Sequence, residues 1–203
     1  MRTQTDNGAL DAKLALRRAA LARWPDDPRV VFDVCQGAGT LWGALRGEFQ
    51  IARYFGADIK PSPGRLRVDS ARLLAAGDLG ANIIDVDTYG EPWKHWRALL
   101  PHIARPTTVF LTLGQANYSV MRASADSVRV LGLGGLRSCP LSLAGRVARR
   151  LGCRYALAEA HQFVLLSGGF QIVTARGTRY IAVRVEPKTR AGPAVHATGP
   201  ASG

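Results

Sequence analysis

Four short apolar runs in the first half of the chain are each closed or followed by aspartate. The runs lie at residues 30–35, 50–57, 65–68 and 82–86, and the aspartates are Asp33, Asp58, Asp69 and the pair Asp85 and Asp87. Between and after them the apolar spacing turns helical, at residues 41–47, at 70–77 and from Pro92 through residue 103. A fifth apolar run, TTVFLTL, covers residues 107–113. Short apolar strands alternating with helices must cover both faces of a sheet, which predicts a three-layer α/β sandwich with a mostly parallel sheet. An amphipathic helix precedes it at residues 9–24, with Leu10, Leu14, Leu21 and Trp24 at helical spacing and Arg17, Arg18 and Arg23 interspersed. Pro25 and Pro28 end that helix.

Beyond residue 113 the pattern loosens. A partly helical excursion is expected over 114–139 and a basic helix over 141–151, ending at Gly152. Residues 155–167 and 171–185 read as two strands, with Gly168 and Gly169 between them as the turn of a hairpin. The domain organisation expected is an N-terminal helix and linker over 1–28, one main domain over 29–186, and a disordered Gly, Ala and Pro-rich tail over 187–203.

A chain of 203 residues that is 47% hydrophobic can bury a core of its own, which excludes a disordered polymer. No apolar run approaches twenty residues, so no membrane span or membrane partner is expected. Residues 1–8 are polar and lack a signal-peptide pattern, and Cys35, Cys139 and Cys153 are odd in number and unpaired in spacing. They read as reduced thiols in a cytoplasmic protein. His95, His102, His161 and His196 have no metal-ligand spacing, so no metal is expected.

The net charge of +12 is one-sided. Residues 1–91 balance 12 basic against 12 acidic residues, whereas residues 92–203 carry 15 basic residues and only Asp126, Glu159 and Glu186 against them. A field of that sign attracts polyanions, so RNA or DNA is the expected partner of the basic half. The bland alternative is a composition that writes arginine wherever charge is tolerated. Arg146, Arg149, Arg150 and Arg154 illustrate the choice, as either a solvated helix face or phosphate contacts without sequence readout.

In an open parallel sheet the carboxyl ends of the strands form the ligand crevice. Carboxylates gathered there suit a ligand that donates hydrogen bonds from ribose hydroxyls and an exocyclic amine. The first loop, Asp33-Val-Cys35-Gln-Gly37-Ala-Gly39-Thr40, lets backbone approach such a ligand closely. Trp42 stands where a dinucleotide fingerprint needs its third glycine, and no phosphate loop is present. The ligand expected is a nucleoside without a pyrophosphate.

These segments resemble the class I S-adenosylmethionine-dependent methyltransferases. Asp33, Cys35, Gly37 and Gly39 are similar to that family's first motif, and Gly56-Ala-Asp58-Ile59, 19 residues after Gly39, resembles its ribose-binding strand end. Val68-Asp69-Ser70-Ala71 is similar to its adenine-contacting motif. The resemblance implies a Rossmann-like, seven-stranded αβα sandwich with a C-terminal antiparallel hairpin. It implies S-adenosyl-L-methionine as cofactor, held by Asp33, Cys35, Gly37, Gly39, Asp58, Ile59, Asp69, Ser70 and Asp85.

Ile84-Asp85-Val-Asp87-Thr-Tyr89-Gly90-Glu-Pro92 resembles the fourth motif of the tRNA guanine-N2 dimethyltransferases, with Thr88 where that family has proline. An exocyclic amine is a poor nucleophile, so a carboxylate such as Asp87 would accept its hydrogen bond while positive charge develops. Tyr89 would stack on the base. Asp87 and Tyr89 are therefore the expected catalytic residues. The structural alternative makes Asp85 and Asp87 caps of the helix entered at Pro92 and Tyr89 a core residue, and Trp93 and Trp96 are expected to pack on the sheet. The function expected is methyl transfer to an exocyclic amine of a base in RNA or DNA. The alternatives are a small-molecule or protein methyltransferase and a non-catalytic nucleic-acid-binding protein on the same fold.

Overall fold

The computed structural model describes residues 9–60, 66–88, 90–113, 160–175 and 178–188. The expectations for Tyr89, for residues 114–139 and 141–151, for Arg154, for the strand start at 155, for Cys139 and Cys153 and for most of the C-terminal tail lie outside the described residues.

The elements run α1 (Leu10–Arg23), β1 (Val30–Asp33), α2 (Thr40–Glu48), β2 (Arg53–Asp58), β3 (Leu66–Arg67), α3 (Ser70–Ala75), β4 (Ile83–Val86), α4 (Trp93–Leu99), β5 (Thr107–Leu113), β6 (Val164–Ala175) and β7 (Thr178–Pro187). Among the described residues the strands form one sheet in the order β3-β2-β1-β4-β5-β7-β6. The first five pair in parallel, and β7 is antiparallel to both β5 and β6. This is the Rossmann-like sandwich with a C-terminal hairpin.

Side chains alternate along each strand, and the alternation sorts the core into two layers. Val31, Ile83, Phe110 and Ala182 face α1 and α2, meeting Leu14, Leu21, Trp42 and Leu45. Phe32, Ile84, Val109 and Val183 face the other way, against Leu74, Trp93, Trp96 and Leu99 of α3 and α4. Trp93 and Trp96 are fully buried there, as their helical spacing predicted. The helix expected from Pro92 to residue 103 stops at Leu99 and continues as a 3-10 turn, Leu100–His102. Pro101 lacks the N–H that another helical turn would use.

The hairpin is present, but its turn is not at Gly168 and Gly169. β6 runs through them with a register shift between Leu166 and Phe170, and pairing continues to Ala175 against Thr178. The glycine at 168 answers to packing rather than to a turn. A Cβ there would come within 2.5 Å of Trp24 Nε1 and 2.7 Å of Arg184 Cβ, so only glycine lets the strand pass.

Candidate functional site

The parallel register orders the aspartates into two levels. Asp33 on β1 is level with Gly56 on β2 and Asp85 on β4. Asp58 and Asp87 lie two residues further along their chains, about 6.6 Å nearer the carboxyl edge of the sheet.

The inner level is buried. Asp33 is 5% exposed and Asp85 1%. Asp85 receives Nε and Nη2 of Arg17 at 2.7 and 2.6 Å, and Trp42 Nε1 at 2.8 Å. Arg17 is itself fully buried in α1 and lies over the Phe110 ring at 4.9 Å. Burial opposes its charge, but Asp85 more than compensates and holds its pKa above the ordinary value. Asp33 accepts from the Tyr54 hydroxyl at 3.0 Å. Burial and then the facing Asp85 push Asp33 well above the usual carboxylate range, with the Tyr54 hydrogen bond offsetting part of that rise. Burial and Asp33 likewise push the Tyr54 hydroxyl up. Asp85, expected among the cofactor-binding residues, lies on this inner level. Its carboxylate is sealed under α1 and engaged by Arg17 and Trp42, so it anchors the helix.

The outer level is more open. Asp58 Oδ2 accepts from the Gly37 backbone N–H at 3.0 Å and Oδ1 from that of Lys60 at 2.9 Å, which ties the glycine loop to the end of β2. Gly37 and Gly39 sit at φ +54 and +72, and a Cβ at Gly37 would meet nothing closer than 3.9 Å. The left-handed backbone, rather than lack of space, is what requires glycine there. Gly39 leads directly into α2. Ile59 beside this loop is 73% exposed, an apolar side chain left facing outward. Asp87 Oδ2 accepts from Lys13 Nζ at 2.6 Å, and its side chain is 24% exposed. Burial raises its pKa, but the Arg17 and Lys13 charges outweigh that and hold it below the ordinary value.

Asp69 caps α3, its Oδ1 accepting from Ala71 N–H at 3.0 Å and its Oδ2 from Lys94 Nζ at 3.0 Å. The Lys94 contact, ahead of the backbone bond, holds its pKa below the ordinary value. Ser70 joins the first loop to α4. It hydrogen-bonds with Cys35 and lies 3.1 Å from His95 Nε2. Burial pushes the Cys35 thiol up to about 12, so at neutral pH it is a protonated packing group and not a nucleophile. Burial, and then Lys94, push the His95 imidazole down, which keeps it neutral.

The structure thus gathers Asp33, Cys35, Gly37, Gly39, Asp58, Asp69 and Ser70 around the ends of β1 to β3, and sets Asp87 at the end of β4. Sequence reasoning missed Lys13, Arg17, Tyr54, Lys94 and His95. The signal for Arg17 was available: it continues the apolar stripe of Leu10, Leu14, Leu21 and Trp24, where a charge demands a buried partner. Among the described residues no group of three His, Cys, Asp or Glu side chains could hold a metal ion, and no helix is long and apolar enough to cross a membrane.

No family model matches the chain, and no curated protein matches it by sequence. Solved structures do share its fold. Trm1 from Pyrococcus horikoshii, in complex with S-adenosyl-L-methionine, superposes with a TM-score of 0.54 at 16% identity, over 91% of this chain and 56% of that one. This chain therefore spans a little over half the length of that neighbour. A chain from the complex of the Haloferax volcanii Trm112 methyltransferase activator with a methyltransferase gives 0.48 at 16% identity, over 91% and 94%. The plantazolicin methyltransferase BamL gives 0.44 at 10%, over 93% and 87%. The first shows that this chain shares the Rossmann-like fold of that neighbour.

Proposed function

We propose that the chain is an S-adenosyl-L-methionine-dependent methyltransferase whose acceptor is an exocyclic amine of a base in RNA or DNA. The observation that carries the cofactor reading is the Asp58 to Gly37 junction. A partly exposed carboxylate, two left-handed glycines and an outward-facing Ile59 meet at the carboxyl edge of the sheet. Those groups fit a nucleoside: Asp58 for ribose hydroxyls, bare backbone of the loop for close approach, Ile59 for an apolar face. Asp69 and Ser70 complete that side from α3, and the Pyrococcus neighbour of the same fold holds this cofactor. When bound, the cofactor supplies an electrophilic methyl group.

The chain's own part in the transfer is at Asp87. Held as an anion, it accepts a hydrogen bond from the acceptor amine and stabilises the positive charge that develops on nitrogen. The Lys13 ammonium beside it disfavours a second cation. That selects a neutral, conjugated amine, as on a nucleobase, over a protonated aliphatic amine. Tyr89 is proposed to hold the base, and the basic half to bind the backbone.

Methyl transfer from tritiated cofactor to bulk RNA and to DNA tests this reading. Incorporation by the wild type, reduced about a hundredfold or more in Asp87→Ala, is expected. Incorporation into neither polymer contradicts it. The ion pairs of Lys94 with Asp69, Arg105 with Asp78 and Arg184 with Asp26 consume part of the basic half's charge, and they favour the second reading, a small-molecule or protein acceptor. Substrate binding that weakens steeply with salt would argue for a nucleic acid, and a flat salt dependence for the alternative.

A further inference from the structure

We infer that Lys13 is a positioning residue: it holds the Asp87 carboxylate in place for the methyl acceptor, while Arg17, one helical turn on, anchors the same helix to Asp85. This rests on the acceptor role given to Asp87 above. The spacing of the two elements makes the arrangement possible. Residues 13 and 17 are about 6 Å apart along α1, and residues 85 and 87 about 6.6 Å apart along β4. Lys13 meets the later aspartate and Arg17 the earlier one, so α1 runs antiparallel to β4 and matches it carboxylate for cation.

Lys13 is built in rather than draped on the surface. Its side chain is 12% exposed, its Nζ lies 5.6 Å from the centre of the Tyr180 ring of β7, and its carbonyl accepts from Arg17 Nη1 at 3.2 Å. Arg17 therefore binds both Asp85 and the backbone of the residue that binds Asp87. An exposed lysine pair would be screened and entropically costly, and would fix nothing. This one has an aromatic seat and a buried neighbour. Among the described residues, the charged groups around Asp87 are Lys13 and Arg17 from α1, Asp85 two residues before it and Asp33 on β1. Thr112 on β5 and the Cys35 thiol also lie near it. Lys13 is the partly exposed cation among them, so it can be changed without uncovering the buried Arg17 and Asp85 pair.

The test uses the full chain with Lys13→Met, which keeps the apolar stem over Tyr180, and Lys13→Arg, which keeps the cation. The Asp87 carboxyl is titrated by carbon-13 NMR, with Asp87→Asn for assignment, and the affinity for S-adenosylhomocysteine is measured alongside turnover. Lys13→Met is expected to raise the Asp87 midpoint by about one pH unit and to lower kcat about tenfold to a hundredfold, with the acid limb of the rate profile moving up equally. Affinity for S-adenosylhomocysteine should stay within about twofold, and Lys13→Arg should restore both midpoint and turnover. An unmoved midpoint in Lys13→Met, or a loss of S-adenosylhomocysteine affinity as large as the loss of kcat, overturns the assignment. The two readings fail separately. Absence of turnover in the wild type counts against the methyltransferase function, whereas the titration decides the role of Lys13 with or without turnover.

Discussion

The inner and outer aspartates differ by two residues of strand and by what faces them. Asp33 and Asp85 sit level with each other, buried under α1 and α2, and share one neighbourhood with Arg17, Trp42 and Tyr54. Asp58 and Asp87 emerge at the carboxyl edge, where one accepts backbone N–H groups and the other a lysine. The inner pair costs desolvation and returns it by locking a helix to the sheet. The outer pair keeps carboxylate surface toward the crevice. A shared residue type at the ends of neighbouring strands therefore does not give a shared role. Depth along the strand, and the helix that covers it, decide.

If the inner level is structural, breaking it should cost stability. Arg17→Ala leaves the Asp85 carboxylate buried without its cation and should destabilise the fold by about 3–5 kcal/mol in urea denaturation. Replacing the pair together, Arg17→Met with Asp85→Leu, should recover most of that loss, because no stranded charge remains. A double variant as unstable as the single one would show that the pair does more than neutralise itself.

Asp33 should respond in the opposite sense. Its pKa in the folded chain is above its unfolded value, so the folded chain binds the extra proton between the two. Its contribution to stability is present at low pH and is lost as pH rises from the ordinary carboxylate range through the folded pKa. Asp33→Asn keeps the shape, relieves the repulsion from Asp85, and should stabilise the chain at neutral pH. Denaturation in acidic and in neutral buffer checks the sign: the advantage of the variant should shrink on acidification. The smallest effect should come from a pair that geometry alone would overrate. Arg18 and Glu48 are bidentate at 2.6 Å, yet both are more than a third exposed. Arg18→Ala should leave the denaturation midpoint unchanged, because solvent and salt already screen the pair.

What the sequence made legible is what local rules govern. The seven-stranded sheet is what the family resemblance implied, whereas strand alternation, the glycines of the first loop and the aspartates at strand ends follow from neighbouring residues. The neutralisation of Asp85 by Arg17, 68 residues away, does not. The apolar stripe marks Arg17 as needing a buried partner, but only the fold, by bringing β4 beneath α1, makes that partner Asp85. The hairpin turn was misplaced for a related reason. Gly168 resembles turn chemistry, and only the approach of Trp24 shows that it is needed inside a strand. Tyr54 gave no local signal at all, since its hydroxyl finds Asp33 across the sheet.

The most direct test of the account is calorimetric titration of S-adenosylhomocysteine into the wild type and into Asp58→Ala. The outer-level reading predicts micromolar binding by the wild type, weakened at least about tenfold by Asp58→Ala, with the denaturation midpoint nearly unchanged. Equal binding by both proteins, or none by the wild type, would contradict it.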